Sequence, residues 1–109
     1  MATQLKKGTL ELCVMALLSH KEWYGYELTQ ELNKAMIVKD ATIYLILQRL
    51  EKAFLLHSEV RAVPNETKVR KYYTLSVTGK QKLNELISEW NTLEIVVNQC
   101  INEGSIINE

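Results

Sequence analysis

The hydrophobic positions in the first half of the chain recur every three or four residues, the period of helices buried on one side. The pattern predicts a first helix over about Thr9–His20, capped by Thr9. It predicts a second helix over about Tyr26–Lys34, with Gly25 supplying backbone freedom at its start. A third helix is predicted over Asp40–Lys52, with Asp40 as its N-cap. Two short helices, a tight link and a third helix form a helix-turn-helix pattern.

The third helix has an unusual exposed face. Opposite its apolar stripe lie hydroxyl, phenol, amide and cationic groups, which can bond base edges and phosphates in a DNA major groove. Gln48 can bond adenine, Arg49 can hold guanine or phosphate, and Thr42 at the helix start can meet phosphate. The expected buried positions are Ile43, Ile46, Leu47, Leu50 and Phe54. The candidate DNA contacts are Lys39, Thr42, Tyr44, Gln48 and Arg49, beside which Ala41, Leu45 and Lys52 also face outward.

Two strands follow, over Leu55–Val60 and Lys68–Leu75, joined by a polar segment that holds the only proline. A hairpin after a helix-turn-helix is the wing of a winged-helix domain. Neighbouring residues on a strand point to opposite faces, so one of Tyr72 and Tyr73 should enter the core. For the same reason at least one of Arg70 and Lys71 should face DNA, and both are candidate backbone contacts.

The last helix should begin near Ser76 and run to about Glu103, where Gly104 stops it. Its apolar residues follow heptad spacing and offer more surface than a small domain can cover, which indicates a homodimer. The expected interface residues are Leu83, Leu86, Trp90, Leu93, Val97 and Cys100. The fold class is therefore mainly α with a small β-hairpin: a winged helix-turn-helix (residues 1–76), a dimerisation helix (77–103) and a flexible tail (104–109).

Composition and charge are compatible with this fold. The 109 residues, 47% apolar and 24% charged, suit one soluble globular domain. No segment has the pattern of a membrane span or a signal peptide, so a cytoplasmic location is expected. The net charge of zero conceals an asymmetry: residues 1–80 carry +4 and residues 81–109 carry −4. A basic body is what phosphate contact requires.

The chemistry of an enzyme or metal site is missing from the sequence. His20 and His57 have no nucleophilic or metal-binding partner at a known spacing. We therefore expect the protein to bind no metal ion or cofactor and to catalyse no reaction. Cys13 and Cys100 are expected to be buried thiols. Oxidation of Cys100 across a dimer is the alternative.

Five segments of the chain resemble motifs of the PadR-like winged-helix transcriptional regulators. They are Leu5–Glu11, Trp23–Leu28, Asp40–Tyr44, Arg49–Lys52 and Arg70–Tyr73, in the family's order. The resemblance covers about residues 5–100 and implies a homodimeric repressor that binds a pseudo-palindromic operator in double-stranded DNA.

The chain departs from this family on the third helix. Ala41, Leu45 and Gln48 stand where the family usually has glycine, proline and arginine, which implies a different operator preference or weaker phosphate contact. Phe54 stands where a glycine usually ends the helix, so the exit is expected to lack the easiest left-handed cap. The wing tip, residues 63–68, lacks the usual glycines, which puts contacts from the tip itself in question.

The resemblance leaves two roles open for Trp90. In one member type a tryptophan of the last helix stacks on planar aromatic ligands at the dimer interface, and Trp90 occupies the matching place; it could equally be a plain interface anchor. One of Tyr24 and Tyr26 is a candidate phosphate contact. The competing hypothesis for the whole chain is a winged-helix module that docks another protein without DNA, which the exposed Leu45 favours.

Overall fold

Four helices and a small sheet make up the structure, a computed structural model that describes residues 4–106, with side chains from residue 8 onward. The elements are α1 (Gln4–Leu18), β1 (Trp23–Tyr24), α2 (Gly25–Asn33), α3 (Asp40–Lys52), β2 (Leu56–Ala62), β3 (Val69–Leu75) and α4 (Val77–Glu103). The strands are antiparallel in the order β1-β3-β2. The winged helix-turn-helix with a long last helix is therefore confirmed. Residues 107–109 of the predicted tail lie outside the described residues.

Helix α1 begins earlier than the sequence predicted. It starts at Gln4, so Thr9 lies inside the helix and the prediction that Thr9 caps it is wrong. The cause is that Lys6 and Lys7 are good helix formers and one glycine, Gly8, costs too little to stop the helix.

The core lies where α1, α2 and α3 meet the inner face of the sheet. Its largest fully buried side chains come from all three helices: Leu10, Val14, Met15, Leu28, Thr29, Ile43, Leu47 and Leu50. Strand β3 adds Tyr73 and Leu75, and α4 adds Leu83. The apolar stripe of α3 is buried as predicted from Ile43 to Leu50.

Phe54 is the exception, because its side chain is 79% exposed and the prediction of burial is wrong. Helix α3 ends at Lys52, and Phe54 adopts a left-handed backbone with φ 62°. That conformation turns the side chain away from the core. As expected, the helix ends without glycine, the easiest left-handed cap: Phe54 itself takes the left-handed conformation, at a cost that glycine would avoid.

The link between α2 and α3 is held by one asparagine. Asn33 Nδ2 donates to the carbonyl of Thr29 (2.8 Å), and its Oδ1 accepts from the amide of Val38 (2.9 Å). Lys39 is the N-cap of α3, and Asp40 is the first residue inside the helix. The prediction that Asp40 is the N-cap is therefore wrong by one residue, although its carboxylate still lies at the favourable positive end of the helix dipole.

The start of α4 is fastened to the end of α3. Ser76 caps α4: its Oγ accepts from the amide of Gly79 (2.9 Å) and donates to the carbonyl of Phe54 (2.8 Å). The amide of Ser76 donates to the carbonyl of Leu55 (3.0 Å). Gly79 lies so close that a Cβ there would be 2.1 Å from the Leu55 oxygen. Gly104, with φ 69°, ends α4 as predicted.

The sheet separates two kinds of side chain. Tyr73 is buried and Tyr72 lies on the outer face, as the alternation along the strand predicted. Trp23 pairs with Tyr73 and Tyr24 with Tyr72. The sequence indicated a turn at Trp23–Tyr24, whereas the structure has a strand there. Local sequence does not reveal so short a strand, because only its pairing with β3 defines it.

Candidate nucleic-acid interface

The outward face of α3 is centred on four exposed residues, Ala41, Leu45, Gln48 and Lys52. At 3.6 residues per turn they fall within an arc of about 60°, directly opposite the buried stripe. Tyr44 and Arg49 border this arc on either side. Gln48, Tyr44 and Arg49, which the sequence singled out as DNA contacts, therefore lie together on this face. Leu45 and Lys52 lie there as well: the helical period placed them on this face, although the sequence did not single them out as contacts.

Tyr44 is held by its neighbours while part of its ring reaches solvent. Its Cε1 atom is 3.0 Å from where a Cβ on Gly25 would lie, so glycine at the start of α2 makes room for the ring. Burial, followed by the nearby Tyr24 and Asp40, raises the pKa of Tyr44 above its ordinary value. The phenol therefore stays protonated at neutral pH and can donate a hydrogen bond to a phosphate or a base.

Arg49 makes a contact that the sequence did not predict. Its Nη2 lies 2.6 Å from Oε2 of Glu11 on α1, so part of the guanidinium is already engaged. Thr42 is half-buried at the start of α3, and its amide donates to the carbonyl of Lys39 (3.0 Å). Lys39 is exposed, one residue before the helix. The start of α3 therefore carries an exposed cation and, three residues later, a half-buried hydroxyl.

The outer face of the wing is lined by tyrosines and arginines. The guanidinium of Arg70 lies 4.8 Å from the ring centre of Tyr24, and that of Arg61 lies 4.6 Å from the ring centre of Tyr72. The Tyr24 ring is also 6.2 Å from that of Tyr26. A shallow cleft of about 300 Å³ is lined by Tyr24, Tyr26, Glu66, Lys68, Val69 and Arg70. Cations stacked on rings along a wing suit contact with a phosphate backbone.

Sequence reasoning missed Arg61. It lies directly across from Arg70 in the strand register, and both its terminal nitrogens meet the Glu22 carboxylate (2.6 and 2.8 Å). That ion pair raises the pKa of Arg61 further. The alternation of β2 was a weak signal for an outward Arg61, but the strand register that places Arg61 opposite Arg70 depends on the length of the six-residue tip.

Lys71 points to the opposite face from Arg70, as predicted. Its Nζ is 3.2 Å from Oε1 of Glu51 on α3, and the Ser58 hydroxyl donates to the same carboxylate. The bond from Ser58 and then Lys71 lower the pKa of Glu51 below its ordinary value. The charge of Lys71 is thus partly compensated within the protein, whereas Arg70 lies among tyrosines.

The apolar residues at heptad spacing on α4, which form the predicted dimerisation seam, are mostly exposed in the single chain. Trp90 is 42% exposed, Leu93 50% and Val97 51%, while Leu86 packs partly against the core. Leu83 differs from the prediction: it is 4% exposed and belongs to the protomer's own core, because the first turns of α4 pack against α1.

The cysteines also differ from expectation. Cys100 is exposed rather than buried, since it lies on the part of α4 that extends beyond the body of the domain. Cys13 is half-buried, and burial raises the pKa of its thiol. Cys13 therefore comes closer than Cys100 to the predicted buried thiol.

These elements define a winged helix-turn-helix protein whose third helix presents its outer face to solvent. Over residues 14–85 the chain matches the model of the transcriptional regulator PadR-like family. A PadR-like transcriptional regulator from Bacillus cereus is 33% identical, with a TM-score of 0.82 over 92% of this chain and 98% of that one. An uncharacterised protein of Lysinibacillus sphaericus is 35% identical over 95 residues, 84% of this chain and 86% of that protein. The chain belongs to the PadR-like family of transcriptional regulators.

One more distant relative was solved with its DNA. PadR of Bacillus subtilis, in complex with operator DNA, is 26% identical with a TM-score of 0.64, over 72% of this chain and 46% of that one. Membership in a family of transcriptional regulators confirms the expectation that the protein is not an enzyme. Among residues 4–106, no helix is long and apolar enough to cross a membrane.

Proposed function

We propose that the protein is a homodimeric repressor that places α3 in the major groove of a pseudo-palindromic operator and responds to a planar aromatic ligand. The observation that carries this proposal is the outward face of α3. An amide, a phenol and cations stand opposite its buried stripe, on a helix that the helix-turn-helix leaves open to solvent.

The side chains suggest a division of labour on DNA. Gln48, at the centre of the outward face, can bond adenine with both its amide atoms. Lys39 and Thr42 at the helix start, and the protonated Tyr44 on the opposite border of the face, suit phosphate and groove-edge contacts. Arg49 is shared with Glu11, so we assign its remaining N–H groups to phosphate.

The wing supplies a second set of backbone contacts. Arg70, with Tyr24 and Tyr26, forms the outer wing face and suits phosphate. Lys71 contributes less in this proposal, because Glu51 already compensates its charge. These contacts orient the domain on the duplex and carry no sequence information directly.

The homodimer is supported by the exposed apolar residues of α4. A helix of 27 residues is about 40 Å long, more than the remaining domain covers. Leucine, valine and tryptophan side chains half-exposed along one seam need a partner. A second copy of the same helix provides one, and two-fold symmetry then matches an operator with two half-sites.

The ligand response rests on Trp90. At 42% exposure its indole offers a flat surface on the seam, where a planar aromatic compound could stack between two protomers. Packing against the partner without a ligand is the competing role.

Fluorescence anisotropy of a labelled duplex from the gene's own upstream region tests DNA binding. We expect affinity that falls steeply with salt. Arg70→Ala should weaken binding to all duplexes and reduce the salt slope by about one, whereas Gln48→Ala should lose about 1–3 kcal/mol of discrimination at one base pair. The matched control is Gln81→Ala, which removes an exposed glutamine on α4. It should change neither the affinity with its salt dependence nor the discrimination between base pairs.

The second candidate function is a protein-docking module, favoured by Leu45, which is 64% exposed at the centre of the α3 face. A folded protein that shows no salt-dependent binding to the upstream region would contradict the DNA-binding proposal and favour this one. If Gln48→Ala left the base preference unchanged, the assignment of Gln48 as a base-reading residue would be wrong.

A further inference from the structure

Ala41 and Leu45 form an apolar strip along the middle of the outward face of α3. Both are exposed, and Leu45 keeps 64% of its surface in solvent although it stands directly opposite the buried stripe. Neither side chain can donate or accept a hydrogen bond. If α3 enters a major groove, this strip meets the base edges directly, so its partner must offer an apolar surface.

We propose that the strip reads the C5-methyl groups of thymine, which makes Leu45 a specificity-determining residue. The inference rests on the proposed function, because it requires α3 in the major groove. The thymine methyl is the apolar feature of the donor–acceptor code in that groove. A leucine placed over guanine or cytosine edges would remove water from polar groups without replacing their hydrogen bonds. The strip therefore favours thymine and penalises G·C pairs.

The surroundings of the strip agree with a nucleic-acid partner. Lys39 precedes it, Arg49 borders it and Lys52 continues it along the same side of the helix. An apolar site for another protein would usually be depleted of charge at its centre and rich in aromatic residues. Cations on both ends of a narrow apolar strip instead match a base edge between two phosphate backbones.

The spacing along α3 predicts what lies next to the thymine. From Ala41 to Gln48 the helix rises roughly 10 Å, and from Leu45 to Gln48 roughly 4.5 Å. Base pairs are about 3.4 Å apart, so Leu45 lies one or two steps from the base bound by Gln48. Because Gln48 suits adenine, each half-site should contain a short A·T-rich element with a thymine methyl under Leu45.

Uracil substitution tests this directly, since deoxyuridine keeps every hydrogen-bonding group of thymidine and lacks the methyl. The bound upstream duplex is resynthesised with deoxyuridine at one thymine at a time, and each affinity is measured. We expect about a fourfold loss for each contacted methyl, at one or two positions in each half-site. The apolar bromine of 5-bromouracil should restore the affinity at those positions.

Two variants assign the effect to a side chain. Leu45→Ala, which removes an exposed group and should fold normally, should bind the thymine and uracil duplexes with equal affinity at the position under Leu45. Ile95→Ala is the matched control: Ile95 is 61% exposed on α4, roughly on the opposite side of that helix from the seam, and it should keep the thymine preference.

The outcomes separate this inference from the proposed function. If the natural duplex is not bound at all, the proposed function fails and this inference fails with it. If it is bound but uracil is tolerated at every position, the methyl-reading role is overturned while DNA binding stands. If Leu45→Ala weakens all duplexes equally and keeps the thymine-to-uracil ratio, Leu45 only positions the helix and the inference is overturned.

Discussion

Replacing Gly79 by alanine tests the junction that fixes α3 to α4. Gly79 is the third residue of α4 and is buried; an added Cβ would lie 2.1 Å from the Leu55 carbonyl oxygen and 2.9 Å from Leu75 Cδ1. A carbon and an oxygen need at least about 3.3 Å between them. The start of α4 must therefore move by about 1 Å, because the Leu55 oxygen belongs to the backbone and has no rotamer to change.

The cost follows from the contacts that this movement disturbs. Three hydrogen bonds of 2.8–3.0 Å link Ser76 to Phe54, Leu55 and Gly79. Each contributes about 0.5–1.5 kcal/mol, and overpacking itself costs about 1–3 kcal/mol. Since the movement should weaken some of these bonds rather than abolish all three, we expect Gly79→Ala to lower the free energy of unfolding by about 3–5 kcal/mol.

Gly8→Ala is the matched control, because it places the same methyl inside another helix. Gly8 lies within α1, and no described atom is within 4 Å of the position its Cβ would take. This variant should gain about 0.5–1 kcal/mol by removing a helical glycine. The free energies of unfolding of both variants are measured by urea denaturation, monitored by circular dichroism at one fixed protein concentration. A Gly79→Ala protein within 1 kcal/mol of the wild type would refute the close approach of α4 to Leu55.

Three further predictions concern single side chains. Phe54→Gly should raise the free energy of unfolding by about 0.5–1 kcal/mol in the same assay, because glycine adopts the left-handed φ without strain, whereas Phe54→Ala should give no such gain. The lowered pKa of Glu51, set mainly by the Ser58 hydroxyl, stabilises the fold above the ordinary value of 4.5, and this stability is lost as pH falls through the folded pKa. Glu51→Gln should therefore be less stable than wild type at pH 7 and should lose less stability between pH 7 and 3; equal pH profiles would contradict the lowered pKa of Glu51. Titration with planar aromatic compounds should quench the fluorescence of Trp90, and the quenching should vanish in Trp90→Phe, which keeps Trp23; a panel that quenches neither protein would count against the ligand site.

The helical parts of the fold could be predicted because burial on one side imposes a three-and-four period on the sequence. The bounds of α3 and α4, and the division of Tyr72 from Tyr73, follow from such local rules. The start of α1 and the two-residue strand β1 do not follow from such local rules. Gln4 to Gly8 is a tolerable helix rather than a strongly patterned one, and Trp23–Tyr24 becomes a strand only when β3 lies beside it.

The site was predictable where it depends on one helix and unpredictable where it depends on neighbours. The period of α3 placed Gln48 and Leu45 on its outer face before any tertiary contact was known. The Arg49–Glu11 pair joins residues 38 positions apart, so no local pattern reveals it. Leu83 shows the same limit, because heptad spacing cannot distinguish a protomer's own core from a partner's surface.

A hydroxyl-radical footprint on the upstream duplex tests the central claim most directly. A dimer with one α3 in each half-site should protect two blocks of backbone related by two-fold symmetry, with centres about 34 Å apart or a multiple of that distance. Protection should weaken at high salt, as phosphate contacts require. A single unsymmetrical block, or a duplex left uniformly cleaved at protein concentrations where the chain is folded, would contradict a dimeric repressor that reads its operator through α3.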